Sequence, residues 1–135
     1  MTAATRHLEL SVLPERFAIS RLAGDSPIPE WATEGPSFSV TRTGDELSVV
    51  TELSLVPVGV HSQPGWRLLK VHGPFVLSEI GVLAELAKPL AEANISLFAV
   101  STFDTDYLLV ASETLPAALA ALERAGHTIH RSKAE

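Results

Sequence analysis

The stretch Ile95-Ser96-Leu97-Phe98-Ala99-Val100-Ser101-Thr102-Phe103-Asp104-Thr105-Asp106-Tyr107-Leu108-Leu109-Val110 sets a polar turn between two apolar runs. Both flanks have the composition of strands, so the segment reads as a hairpin. Its tip, Ser101 to Tyr107, presents two carboxylates and several hydroxyls where two strands end.

Working outward, Ser78 can cap a helix from about Glu79 to Ala93, with Ile80, Leu83, Ala84, Ala87, Leu90 and Ala91 on one stripe. Pro89 falls inside that helix, where it removes one ladder hydrogen bond and should bend the last turn. Asn94 suits its stop. Before it, Trp66 to His72 reads as a strand ended by Gly73-Pro74. After the hairpin, Thr114 can cap a helix from Leu115 to Ala125 that buries Leu115, Leu119 and Leu122. Pro116 is tolerable in its first turn and Gly126 ends it. His127-Thr128-Ile129-His130 is a last strand. The order is β-α-β-β-α-β, which predicts a ferredoxin-like α+β unit: an antiparallel sheet with both helices on one face.

The first half is strand-rich. Leu8, Leu10 and Val12 alternate with polar neighbours, Pro14-Glu15 suggests a turn, and Phe17 to Leu22 resumes, which predicts a hairpin. Pro29 can open a single helical turn carrying Trp31 inward. Ser37 to Thr41 and Glu46 to Thr51 form a second hairpin, with Gly44 free to take a positive φ. Leu53 to Gly59 reads as a loop or short helical turn. Ser62-Gln63-Pro64-Gly65 is the strongest internal break, which divides the chain into a strand-rich subdomain, 1–63, and a βαββαβ domain, 64–135.

Composition bounds the function. The 135 residues suffice for one core, or for two small subdomains sharing one. Sixteen acidic residues against ten basic give a formal charge of −6, with Lys and Arg scattered singly, a poor match to nucleic acid. The absence of Cys removes disulfides and thiolate metal sites. Met1 to His7 leads directly into strand-like sequence, and no apolar run approaches the ~20 residues of a membrane span. The expectation is a cytoplasmic, non-catalytic protein without a cofactor. No G-x-S-x-G elbow and no glycine-rich phosphate loop is present. Asp104-x-Asp106 is a weak divalent-cation pair without a third acidic ligand. His127-x-x-His130 resembles a zinc pair, but on a strand those side chains point to opposite faces, and His72 does not complete it. No metal site is expected.

The residues Ile80-Gly81-Val82, Pro89-Leu90-Ala91 and Ser101-Thr102-Phe103-x-x-Asp106, in that order, resemble an ACT domain. More narrowly, they resemble the small bacterial ACT proteins related to the ACT modules of aspartate kinases and of CASTOR-type arginine sensors. Leu10-Pro14-Phe17 and Ser39 to Thr43 extend the likeness weakly into the first half, which then reads as a degenerate ACT-like copy. The resemblance implies regulatory binding of a free amino acid at an interface between modules, and a side-by-side homodimer. It places Glu79, Ile80, Gly81 and Val82 on one wall of the pocket and Thr102, Phe103 and Asp106 on the other. This chain has neither further modules nor a catalytic domain attached, so the missing half of the pocket is expected from the first subdomain or from a second copy.

The residues themselves permit that reading. A helix N-terminus has unpaired N–H groups and partial positive charge, suited to a carboxylate. Glu79 and Asp106 can receive an ammonium or guanidinium, which would favour a cationic amino acid. Each also has a plainer explanation: Gly81 as a close-packing residue, Asp104 and Asp106 as solvated turn residues, Glu79 as a complement to the helix dipole, Phe103 as a core plug. A protein-interaction module without a small ligand is the alternative function.

Overall fold

The computed structural model of the chain describes residues 6–131. The first five residues, included above in the reading of the N-terminus, lie outside the described residues. Two compact units are present: one contains the chain up to Pro14 and from Arg67 onward, the other Glu15–Trp66. The expected division at 63/64 differs from this chiefly in the N-terminal strand, which belongs with the C-terminal residues.

The first unit holds the start of β1 (Glu9–Ala23), the end of β4 (Ser62–Val71), α1 (Val82–Glu92), β5 (Phe98–Ser101), β6 (Asp106–Ala111), α2 (Leu115–Arg124) and β7 (Thr128–His130). Its strands run in the order β7-β1-β4-β6-β5. The hairpin forms as expected: β5 and β6 are antiparallel, with Ser101 opposite Asp106 and Phe98 opposite Leu109. Ile95 to Leu97 precede the strand rather than extending it. The last strand pairs with β1, in parallel, Glu9 opposite Thr128 and Ser11 opposite His130. This parallel pair departs from the all-antiparallel expectation, because the N-terminal strand takes the place beside β7.

Leu10 and Val12 of β1, Leu69 and Val71 of β4, Val82, Leu86 and Leu90 of α1, Leu108 and Val110 of β6, and Leu119 and Leu122 of α2 form one core. Burying each such side chain contributes about 1.5–3 kcal/mol relative to exposure. The buried stripe of α1 is therefore Val82, Leu86 and Leu90. Ile80, Ala84 and Ala91, expected on that stripe, are exposed. The cause is the helix start. Ser78 does not cap α1; the chain enters through Gly81, at φ 86°, and the first helical residue is Val82. Asn94 ends the same helix in the left-handed region, at φ 61°. Thr114 precedes α2 as expected, but its hydroxyl donates to Ala111 O at 3.0 Å and makes no cap bond.

The second unit contains the rest of β1, then β2 (Ser39–Arg42), β3 (Glu46–Glu52) and the start of β4. Residues 17–23 of β1 pair antiparallel with β3 from Glu52 back to Glu46. No hairpin forms at Pro14, and β1 runs through it for 15 residues. Pro14 lies between the residues that pair with β7 and those that pair with β3, so its missing N–H breaks no bond in either ladder. The β2–β3 hairpin is present. Gly44 does not take a positive φ. Instead Thr43 Oγ1 accepts from the N–H groups of Asp45 and Glu46, both at 3.2 Å, and shapes the turn. A single 3-10 turn at Glu30–Thr33 buries Ala32, while Trp31 is half-buried against the Ala32, Leu47, Val49 cluster. Another, Leu53–Leu55, is the short helical turn that the sequence offered there as an alternative to a loop. The Ser62–Gly65 stretch is the beginning of β4, and the second unit ends just after it, at Trp66.

Candidate functional site

The site lies within the first unit, where the hairpin turn faces the segment leading into α1. A cavity of about 200 Å³ is lined by Val76, Glu79 and Val82 on one side and by Thr102, Phe103 and Asp106 on the other, with Phe75, Leu77, Ser101, Asp104 and Thr105 completing it. Of the residues expected from sequence, Glu79, Val82, Thr102, Phe103 and Asp106 are brought together. Ile80 and Gly81 do not line it. The Ile80 side chain is 87% exposed.

The turn is fixed from within and from below. Thr102 N donates to Thr105 O at 2.8 Å, and Thr102 Oγ1 both donates to Thr105 O and accepts from Thr105 N. The Thr102 hydroxyl is thus committed to the turn. Thr105 is buried, and its hydroxyl donates to Val71 O at 2.7 Å, tying the tip to β4. Phe75 N donates to Asp104 O at 2.7 Å and joins the two walls. That bond needs Gly73: a Cβ there would lie 2.8 Å from Asp104 O. Asp104, read from sequence as a solvated residue, therefore lines the cavity and supports its other wall through its carbonyl. Thr105 and Gly73 are the positioning residues that sequence reading missed. The Gly73-Pro74 dipeptide, taken only as a strand end, was the visible signal.

Asp106 Oδ1 accepts from Ser101 Oγ at 2.5 Å across the hairpin. Its Oδ2 has no protein partner among the described residues, so a negative charge is held in a fixed direction with one oxygen open. Phe103 is 76% exposed, which excludes the core-plug reading. Gly81 has nothing within 4 Å of the position its Cβ would occupy, which excludes close packing. Its positive φ accounts for the glycine, because other residues enter that region at a cost of about 1–2 kcal/mol.

The Gly81 entry leaves the α1 N-terminus without a side-chain cap. The first residue of the helix, Val82, lines the cavity. Glu79 is engaged already: Arg6 Nη1 donates to Glu79 Oε2, and Arg6 Nη2 reaches Ile80 O at 3.4 Å. A guanidinium thus occupies the carboxylate that sequence reading reserved for a ligand, and no local pattern pointed to Arg6. The cavity brings the carboxylates of Glu79, Asp104 and Asp106 together with Val82, the first residue of the uncapped helix α1.

His127 has a role different from that of a metal ligand. It is buried, its Nδ1 accepts from Leu8 N at 3.1 Å, and its Nε2 then carries the proton and donates to Glu85 O at 3.3 Å. Glu85 O is the carbonyl that Pro89, with no N–H, leaves without its helical donor.

The order of strands and helices in the first unit is that of an ACT domain. A family model described as an ACT domain matches residues 61–124, and a model of an N-terminal domain matches residues 15–58, within the second unit. The chain is similar to protein Atu0741 from Agrobacterium tumefaciens, with 38% identity, TM-score 0.89, and 94% of this chain and 95% of that chain covered. Residues 61–124 of the chain form an ACT domain. Over 60 residues, 44% of this chain, it is 37% identical to the human cytosolic arginine sensor for mTORC1 subunit 1, of which the match spans only 18%. The regulatory subunit of aspartate kinase from Thermus thermophilus shares the fold, with TM-score 0.61 at 13% identity over 86% of this chain and 96% of that one. No helix among the described residues is long and apolar enough to cross a membrane.

Proposed function

We propose that the chain is a non-catalytic cytoplasmic regulatory protein that binds a free amino acid in the Glu79–Asp106 cavity. The observation that carries this reading is the placement of Glu79 and Asp106 in one cavity with Val82, the first residue of the uncapped helix α1. The N–H groups at Val82 receive the α-carboxylate, Asp106 Oδ2 receives the α-ammonium, and Glu79 faces the side chain. A cationic side chain fits best, because Glu79 already holds a guanidinium, that of Arg6. The relative named as an arginine sensor supports the same class of ligand. At about 200 Å³ the cavity is smaller than the about 300–1,000 Å³ common for drug-sized ligands, in keeping with a single amino acid.

Val76, Leu77, Ile80 and Phe103 stand exposed around the cavity mouth. Such an apolar rim on a polar pocket suits a second copy that closes it, and we read the active form as a homodimer. The same rim favours the second reading, a ligand-free interaction module.

Thermal-shift measurement against the twenty amino acids, followed by titration of Asp106→Asn, separates the two. Asn keeps an acceptor for Ser101 and removes the charge. Loss of a charge-assisted bond of about 1.5–3 kcal/mol weakens the ligand by about 10- to 150-fold. If no amino acid shifts the melting temperature at millimolar concentration, the interaction module stands instead. If a ligand binds Asp106→Asn as tightly as wild type, the pocket is misplaced.

A further inference from the structure

On the sheet face away from the helices, three side chains from adjoining strands converge. Glu9 and Ser11 alternate with the buried Leu8, Leu10 and Val12, so they face outward. His72 follows the buried Val71, and its N–H donates to Glu9 O at 2.8 Å, which sets it beside β1. His130 follows Ile129, which packs on the core, and lies opposite Ser11 in the parallel β1–β7 ladder. One ligand atom from each of Glu9, His72 and His130 lies within 4.8 Å of the others. His130 Nε2 is 2.7 Å from Glu9 Oε1, and the His72 and His130 rings stack with centroids 5.1 Å apart and planes at 8°.

We propose that Glu9, His72 and His130 bind a divalent transition-metal ion of the zinc class. Two imidazoles and one carboxylate match the donor preference of such ions, whereas calcium and magnesium select oxygen. Bond lengths of about 2.0–2.2 Å bring tetrahedral ligand atoms within about 3.5 Å of one another, so a modest turn of the His72 ring closes the set. The fourth position faces solvent. The backbone scaffold is rigid, since every ligand sits on a strand or one residue beyond it. Ser11 Oγ lies 2.6 Å from His72 Nε2, but Glu9 is engaged by His130 and no described carboxylate orients His72 as a base, so a nucleophilic role is the poorer use of these groups.

Position gives the ion a consequence. β7 has only three residues, and an ion joining His130 to Glu9 and His72 staples this short strand to β1 and to the end of β4. His127 and His130 do lie on opposite faces, as the sequence suggests: His127 is buried, and His130 stacks on His72.

The test is calorimetric titration of tag-free protein with Zn2+, with Co2+ absorption reporting coordination geometry. One saturable site is expected, with a Zn2+-dependent rise in melting temperature and added amide protection across Thr128 to His130. His72→Ala, His130→Ala and Glu9→Gln should each weaken binding by about tenfold or more. All three positions are exposed, so the variants should fold. His61→Ala serves as the control and should leave the affinity unchanged. Absence of a saturable site, or binding that survives these substitutions, overturns the proposal. Neither outcome bears on the Asp106 cavity.

Discussion

Pro89 in the middle of α1 gives a quantitative handle on how the first unit is held together. Proline has no N–H for the carbonyl four residues back, Glu85 O, and that carbonyl takes a donor from His127 on the segment after α2. The same ring accepts the buried Leu8 N–H. His127→Leu preserves bulk while removing both bonds. The stranded Leu8 N–H costs about 1–3 kcal/mol and the partly buried Glu85 carbonyl about 0.5–1.5 kcal/mol, so a loss of about 2–4 kcal/mol is expected. That is a large share of the 5–15 kcal/mol typical of a folded domain.

Pro89→Ala then isolates the Glu85 bond. It restores the helical donor and should stabilise in either background, by up to about 3 kcal/mol. In the His127→Leu background it also re-pairs Glu85 O, so the gain there should exceed the wild-type gain by about 0.5–1.5 kcal/mol. Urea denaturation of the four proteins at matched m-values measures that coupling. The reasoning is refuted if the two substitutions are additive within about 0.3 kcal/mol, or if His127→Leu alone costs under about 0.5 kcal/mol.

Two further outcomes can be measured on the candidate site. Gly81→Ala should destabilise by about 1–2 kcal/mol through its positive φ alone, since its Cβ would meet nothing; Gly81→Asn should cost less, and equal losses in chemical denaturation would contradict the conformational account. Arg6→Ala should tighten a cationic amino acid by no more than about fivefold, because a partly exposed ion pair contributes about 0–1 kcal/mol; weaker binding on titration would mean that Arg6 contacts the ligand instead of competing with it.

Much of this architecture is legible in the chain because the deciding patterns are local. Leu115, Leu119 and Leu122 repeat at helical spacing and Gly126 closes the helix. Leu108 to Val110 and the polar tip mark the hairpin without reference to anything distant. The misplaced features all depend on remote partners. Pro14 reads as a break, yet the strand continues because the ladders on either side of it belong to β7 and β3. Ser78 looks like a helix cap, but the chain turns into α1 through Gly81, and a residue able to take positive φ was the better marker. Three residues of lag there moved the buried stripe to Val82, Leu86 and Leu90. The site was visible in its charges, Glu79 and Asp106, and invisible in its supports. Arg6 lies 73 residues from Glu79, and no spacing rule links them.

The two walls of the cavity are built to different standards, and this bears on how a ligand could act. The turn wall is over-determined: Thr102 and Thr105 lock each other, Thr105 is anchored to Val71, and Ser101 aims Asp106. The opposite wall, between Gly73 and Gly81, is neither helix nor strand. Its backbone is tied by the Phe75-to-Asp104 bond and by a turn from Glu79 N to Val76 O at 2.9 Å, and its outer end by the surface pair with Arg6. Segments with few buried contacts open at low free energy, whereas core strands open only with the whole fold. A ligand that engages the α1 N–H groups, Glu79 and Asp106 together adds ties to the looser wall and almost none to the turn. In the proposed site Asp106 would thus serve as the fixed reference, and Glu79 as the part whose position depends on occupancy. Val76, Leu77 and Ile80 are exposed on that same looser wall, so whatever orders Glu79 would also set the surface available to the proposed second copy. That coupling is what a regulatory domain requires, and here it follows from where the hydrogen bonds are and where they are not.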